Sequence, residues 1–447
     1  MDKPSISSSR EAAFAALLAC QQQGAWSDQA IRSATKKWKL APRDAALAAN
    51  LCYGVVQNQM LLDFWIDQFS KTPAKKLDQQ VLIALRLGLY QLHFLDRVPD
   101  NAAVNESVNL VKKYAKNKGA SGLTNAVLRA FQRSGEPPMP KSKDFCENLS
   151  IRYSHPLPLV KLFCDELGKE NLEPLLAHHN TPTDMVIQVN TLKTDLPSLT
   201  KILSEYGVEA EPHPWLADCL LVRKSGDLEQ LPPFQEGLFY VQDCAAKLAA
   251  LVGAPQPGDR VLDACAAPGG KSFACGVLMK NEGSILSRDL HENKLRRIQS
   301  GAKRLGLSCI STEAMDARTH QPELENQFQV VLADVPCSGL GIIRKKPDIR
   351  YKNLSETEGL PAIQLAILKQ VASYVAPGGT LIYSTCTVIQ RENEAVVRAF
   401  LSEHPQFSLE PFQRPEPIGK VDGQLTLWPH IHGTDGFFIA KLRRSHV

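Results

Sequence analysis

No two of the eleven cysteines in this 447-residue chain are spaced as C-x-x-C, and eleven is an odd number. The missing pair argues against structural zinc, and the odd, scattered set argues against a secreted disulfide framework. No apolar run approaches the ~20 residues that a membrane helix requires. Ala12–Cys20 (AAFAALLAC) ends like a lipoprotein cleavage site, but Glu11 stands directly before it and Asp2 dilutes any basic start. That stretch reads instead as an amphipathic helix. Internal repeats and low-complexity tracts are absent too, which sets repeat architectures aside. The chain is expected to be cytoplasmic, metal-free, independent of membranes and monomeric.

What is present is ordinary for a soluble globular protein, with 44% apolar and 22% charged residues. The length implies two or three domains. The net charge of +4 is unevenly divided. Residues 1–140 carry 18 Lys and Arg against 11 Asp and Glu, while the remainder carries 33 against 36. A basic front suggests an anionic partner held mainly from there.

From Arg10 to about Arg133 apolar residues recur at three- and four-residue spacing, in Ala12–Ala19, Asp44–Ile66, Leu77–Leu95, Val104–Tyr114 and Gly122–Phe131. Pro42, Pro73 and Pro99 separate them, and Gly135-Glu136-Pro137-Pro138 forms a linker. This predicts an all-helical domain over 1–140. Residues 149–235 mix helices (Leu159–Leu167, Leu196–Tyr206) with strands (Met185–Asn190, Leu220–Arg223), a small α+β unit that needs a neighbour to complete its core.

Over 236–447 strands and helices alternate. Strands are predicted at Arg260–Cys265, Ser284–Leu290, Phe328–Asp334, Gly379–Cys386 and Gly436–Leu442. Helices are predicted at Gly270–Met279, Glu292–Leu305, Leu360–Val375 and Glu392–Ser402. The fold class is α/β, a doubly wound sheet that takes ligands at the carboxyl ends of its strands.

The first of these strands runs into Asp263-Ala264-Cys265-Ala266-Ala267-Pro268-Gly269-Gly270-Lys271. Small residues and paired glycines let backbone approach a ligand, and the following helix presents free N–H groups. A phosphate-binding P-loop would need glycine at position 265, which is cysteine, and the adjacent glycines do not match the dinucleotide spacing GxGxxG. Asp289 ends the second strand, where an acid can accept both ribose hydroxyls. Asp316 follows the third strand, within reach of an adenine amine. Each acid alone is more often a helix cap or a solvated loop residue; together, at successive strand ends, they outline a nucleoside pocket.

The fourth strand enters Asp334-Val335-Pro336-Cys337-Ser338-Gly339 and the fifth enters Ser384-Thr385-Cys386-Thr387. Neighbouring strand ends would bring two thiols to one cleft, although buried core cysteine is the commoner state of a free thiol. Two thiols suit methylation of cytosine carbon 5. Addition of a thiolate to carbon 6 makes carbon 5 nucleophilic, a second thiol assists release, and Asp334 can hydrogen-bond the ring. Amino-group methylation needs no covalent step, and its enzymes commonly show an acid or asparagine, two prolines and an aromatic. That order is absent here.

DACAAPGGK, ADVPCSG and STCT resemble the signature motifs of RNA cytosine-5 methyltransferases related to the nucleolar Nop2/Sun proteins. The likeness runs from about Leu149 to the terminal GFFIAKL. The helical front, with GLTNAVLR, resembles the RNA-binding antitermination factor NusB. The resemblance implies a seven-stranded Rossmann-like sheet with its last strand antiparallel, dependent on S-adenosylmethionine (SAM), and an RNA-binding role for the middle segment. It assigns Cys386 as nucleophile and Cys337 as the thiol that aids release. The methyl donor is then held by Cys265, Ala266, Ala267, Pro268, Gly269, Gly270, Lys271, Asp289, Asp316 and Asp334. Whole-chain likeness points to 16S ribosomal RNA, not DNA, as partner.

In the DNA enzymes the cysteine after the strand-four proline attacks, which here is Cys337 and would leave Cys386 unexplained. A rival from another class is a catalytically inactive RNA-binding assembly or antitermination factor; it predicts loss of the thiols or acids, all of which are present. Gln188 stands where arginine is common, an expected weakening of one RNA contact. Ser272 and Arg288 also depart from the pattern. Arg344-Lys345-Lys346 and the run Lys112, Lys113, Lys116 and Lys118 are read as phosphate contacts, against the alternative of solvated charge.

Overall fold

The computed structural model describes residues 8–117 and 119–446; Asp2 and Lys118, both used above, lie outside them. The chain packs as two compact units, one of Met1–Thr181 with Lys345–Lys352, the other of Pro182–Arg344 with Asn353–Val447. No helix among the described residues is long and apolar enough to cross a membrane.

The first unit is helical: α1 (Ser8–Gln23), α2 (Ser27–Lys37), α3 (Pro42–Gln57), α4 (Gln59–Phe69), α5 (Gln79–Phe94), α6 (Asp100–Tyr114), α7 (Ala120–Arg133), α8 (Phe145–Arg152), α9 (Leu157–Leu167) and α10 (Lys169–His178). Helix α5 is buried at every position from Val81 to Gln91, as its all-round apolar sequence requires, and forms the axis of this core. Asp44–Ile66 is two helices, not the single one expected. Asn58 leaves helical geometry (φ −114°, ψ 15°) and donates its side-chain amide to Gly54 O at 2.9 Å, closing α3. Apolar spacing continues across the break, so periodicity alone does not see it.

The second unit holds two main sheets. Strands β1 (Met185–Val189), β2 (Glu209–Pro212), β3 (Cys219–Lys224) and β4 (Phe239–Val241) form an antiparallel sheet in the order β2-β3-β1-β4, backed by α11 (Leu196–Glu205). After α12 (Pro232–Gln235) and α13 (Cys244–Gly253) come β5 (Arg260–Asp263), α14 (Gly270–Leu278), β6 (Ser284–Asp289), α15 (Glu292–Leu305), β7 (Ile310–Ala314), β8 (Phe328–Asp334), α16 (Leu360–Ala372), β9 (Val375–Thr385) and α17 (Glu394–Glu403). The chain ends with β10 (Phe407–Leu409), β11 (Phe412–Gln413), β12 (Lys420–Val421), β13 (Gln424–Leu427), α18 (Pro429–His432) and β14 (Phe437–Arg444).

The larger sheet runs β10-β14-β9-β8-β5-β6-β7, with β5 to β9 parallel and β14 antiparallel to β9. These seven strands match the expected sheet; β13 adds an eighth, paired with β14 off the main line. Burial on both faces explains the continuous apolar stretch Val330–Ala333 of β8. Val331 and Ala333 of β8 pack toward α16 and α17, while Val330 and Leu332 pack toward α13 and α14. The strand order reverses between β5 and β8, so the ligand crevice opens beyond their carboxyl ends.

Candidate active site

Between β5 and α14 the chain turns back on itself. Ala264 N bonds to Leu332 O of β8 and Ala266 N to Arg288 O of β6, tying the turn to both neighbours. Gly269 adopts φ 110°, and a Cβ there would meet the Phe273 ring at 2.7 Å. Only glycine fits both demands. Helix α14 begins at Gly270, so first-turn N–H groups face the crevice. Beneath the turn, Ser272 Oγ donates to Asp263 Oδ2 at 2.7 Å, and Ser287 Oγ donates to Ser272 at 2.8 Å. Burial pushes the Asp263 carboxyl up to about 6, against the opposing pull of Ser272 and Lys271.

The predicted acids converge on this turn. Burial, then the fields of Asp263, Asp334, Asp289 and Asp316, push the Cys265 thiol far above its usual range, which makes it a poor nucleophile. Asp289 accepts His291 N at 3.0 Å and lies 3.5 Å from Lys294 Nζ. Asp316 is gripped by the Arg318 backbone and guanidinium, which hold its carboxyl below the usual value. Arg288 is almost fully buried, with its charge met by Glu313 at 2.6 Å on the neighbouring strand.

At the ends of β8 and β9 the two thiols meet: Cys337 Sγ lies 3.0 Å from Cys386 Sγ, and Cys386 N donates to Cys337 Sγ at 3.2 Å. The register that pairs Asp334 with Ser384 places them there. Asp334 accepts Ser384 Oγ at 2.8 Å and forms an ion pair with Lys271 Nζ at 2.6 Å. Burial alone would lower the Lys271 pKa; the Asp334 charge and hydrogen bond hold it above its ordinary value. The hydrogen bond with Cys386 pushes the Cys337 thiol well up, helped by burial and by the charge of Glu392.

Sequence reasoning missed the polar groups behind these residues. Gln188 is fully buried and donates to Gln242 O at 2.9 Å, so its side chain offers no direct contact to RNA. The Gln242 side chain in turn abuts Gly270, where a Cβ would stand 2.9 Å from its amide nitrogen. Glu392, Asn393 and Gln364 are fully buried around the thiol-bearing turns. The one signal for Glu392 and Asn393 in the sequence is the polar stretch Gln390–Glu394 between apolar runs, which reads equally well as a helix start. Arg344 is engaged by Pro182 O and lies 3.6 Å from Asp184, whereas Lys345 and Lys346 are exposed.

Three family models match the chain. The one described as 16S rRNA methyltransferase RsmB/F covers residues 250–443, the NusB family covers 7–133, and a ferredoxin-like domain of RsmF/B-like methyltransferases covers 155–229. The probable ribosomal RNA small subunit methyltransferase B of Bacillus subtilis is 40% identical, with 100% of each chain aligned. Ribosomal RNA small subunit methyltransferase B of Vibrio cholerae is 33% identical over 98% of each. Among solved structures, PH0851 superposes with a TM-score of 0.81 at 28% identity, covering 99% of this chain and 100% of its own. A methyltransferase homolog from Pyrococcus horikoshii gives 0.59 at 26% identity, covering 68% of this chain and 100% of its own.

Proposed function

The chain belongs to the RsmB/F family of 16S ribosomal RNA methyltransferases, and from that premise we propose that it methylates carbon 5 of a cytosine in that RNA through a covalent adduct with Cys386. The observation that carries the reading is the pair of thiols 3.0 Å apart beside the Lys271–Asp334 ion pair. SAM supplies an electrophilic sulfonium methyl when bound. The residues present suit it: a glycine turn that admits no Cβ, first-turn N–H groups, and acids at three strand ends. Cys265–Lys271, Asp289, Asp316 and Asp334 would hold it.

The chain's own groups do the rest. The Cys386 thiolate forms a bond to cytosine carbon 6, and the displaced ring electrons make carbon 5 nucleophilic. Asp334, held by Lys271 and Ser384, receives a hydrogen bond from the ring edge and orients it. After methylation the carbon 5 proton leaves to a base, its electrons restore the ring double bond, and the sulfur–carbon 6 bond breaks to return the thiolate to Cys386. Cys337 assists that release. The target must leave its stack to reach this crevice. Residues 1–140 and 149–235 serve RNA binding, and 236–447 the chemistry.

The test supplies labelled donor and unmodified 16S ribosomal RNA and maps the methyl by base and atom. Label on carbon 5 of a cytosine is expected. Cys386→Ala should abolish it with donor binding intact, and Cys337→Ala should accumulate a covalent protein–RNA adduct. Methylation retained in Cys386→Ala would remove that residue as nucleophile. Loss of donor binding in the wild-type chain would favour an inactive RNA-binding factor.

A further inference from the structure

Behind the two thiol-bearing turns lies a polar network that the reaction above does not use. Glu392 Oε2 accepts Ser338 N and Gln364 Nε2, each at 2.9 Å, and the same Gln364 amide donates to Pro336 O at 3.0 Å. The residues on either side of Cys337 are thus held from one carboxylate. Asn393 does the same for Cys386. Thr385 Oγ1 donates to Asn393 Oδ1 at 2.6 Å, and Asn393 Nδ2 donates to Thr387 O at 3.1 Å. Ser338 Oγ donates to Thr387 Oγ1 at 2.9 Å, joining the turns, and Tyr383 OH anchors Glu392 O at 2.5 Å. Glu392 and Asn393 are both at 0% exposure, and Asn393 breaks the chain between a 3-10 turn and α17 with φ −111° and ψ −99°.

We infer that Glu392 and Asn393 are positioning residues that set the spacing of the two thiols, and that the Glu392 carboxylate behind Cys337 favours the shared proton on that sulfur, making Cys386 the more reactive of the two. The inference rests on Cys386 being the nucleophile. Two opposite charges act on the sulfur pair. Glu392 acts on Cys337, while the Lys271 ammonium acts on Cys386. A negative charge near one sulfur and a positive charge near the other both favour the proton on Cys337. Asp334, paired to Lys271, and the Tyr383 phenol face the same pair, with Glu394 beyond Tyr383. The N–H of Cys386 donating to Cys337 Sγ pulls the other way, and the Glu392 and Lys271 charges oppose it. Glu392 Oε1 has no hydrogen-bond partner among the described residues, so no donor masks that oxygen's charge.

The first readout needs no RNA. The full chain is treated with iodoacetamide at neutral pH, and peptide mass spectrometry gives the alkylation rate at each cysteine. In the wild type Cys386 should react faster than Cys337. Glu392→Gln keeps the size and an acceptor oxygen but removes the charge; the Cys386-to-Cys337 ratio should fall by roughly tenfold, because Cys337 loses the negative charge that disfavours its reactive form. Asn393→Ala loosens the turn without touching the charge and should lower kcat at unchanged KM for RNA while Cys386 stays the faster thiol. An unchanged ratio in Glu392→Gln overturns the inference, as does an equal shift in Asn393→Ala, which would make packing the cause. If neither variant folds, Cys337 reacting as fast as Cys386 in the wild type overturns it alone. Methylation retained by Cys386→Ala would sink the nucleophile assignment separately, leaving the alkylation ratio still readable.

Discussion

Asp263 is fully buried, with Oδ1 lacking a hydrogen-bond partner among the described residues and Oδ2 held by Ser272. Its carboxyl sits at about 6 in the folded chain against an ordinary 3.8. A raised value means that the native state binds this proton more tightly than the unfolded chain does. The associated stability is complete below the unfolded value and is lost as pH rises through about 6. Asp263→Asn has no such proton to lose. Its stability relative to the wild type should therefore climb with pH, by up to about 3 kcal/mol between pH ~4 and ~7, from roughly two pKa units at ~1.4 kcal/mol each. Urea unfolding of both proteins at the two pH values measures this. A difference that does not change with pH would mean that Asp263 keeps its ordinary acidity despite burial.

At the scale of the element, the start of α14 is the most constrained piece of the crevice. Phe273 is pinned between Gly269 and Gly301, where an added Cβ would lie 2.7 and 2.4 Å from its ring. Gly269→Ala combines that clash with an unfavourable φ and should cost roughly 1–3 kcal/mol while weakening donor binding. Adding Phe273→Leu should relieve the clash but not the backbone strain, so thermal melting should show partial recovery; a neutral Gly269→Ala would show that the turn tolerates a side chain. Elements of this kind were legible in advance. The strands β5, β8 and β9 carry apolar stretches ending in chemistry-bearing residues, and both signals are local. The short strands β10 to β13, of two to four residues, carry no measurable alternation. Glu392 read as the acid of a helix start, whereas the chain breaks at Asn393 and turns both side chains onto the thiol loops. That orientation depends on Ser338 and Gln364, distant in sequence, and no local pattern contains it.

For the molecule as a whole, the sequence marked a linker at Gly135–Pro138, yet packing carries the first unit on through α10 and brings Lys345–Lys352 back to it. This return is held by partners up to 321 positions away, which no window of sequence can register. Arg350 is its anchor. Fully buried, it donates to Gln57 O and Asn180 Oδ1 at 2.8 Å each and to Tyr153 O at 3.2 Å, while Tyr351 OH donates to Val56 O at 2.9 Å. Burial pulls the guanidinium down to about 10, still charged at neutral pH. Removing it leaves several acceptors unpaired, each costing roughly 1–3 kcal/mol. Arg350→Met should therefore lower the stability of the helical unit by roughly 3 kcal/mol or more. A fragment of residues 8–181 alone should melt below the same helices in the full chain. A peptide of residues 345–352 added in trans should raise that melting temperature with concentration, as binding to the native state requires. The same peptide carrying Arg350→Met should not. If the wild-type peptide gives no rise at all, the segment lies on the helical unit without holding it together, and its stabilising role is lost.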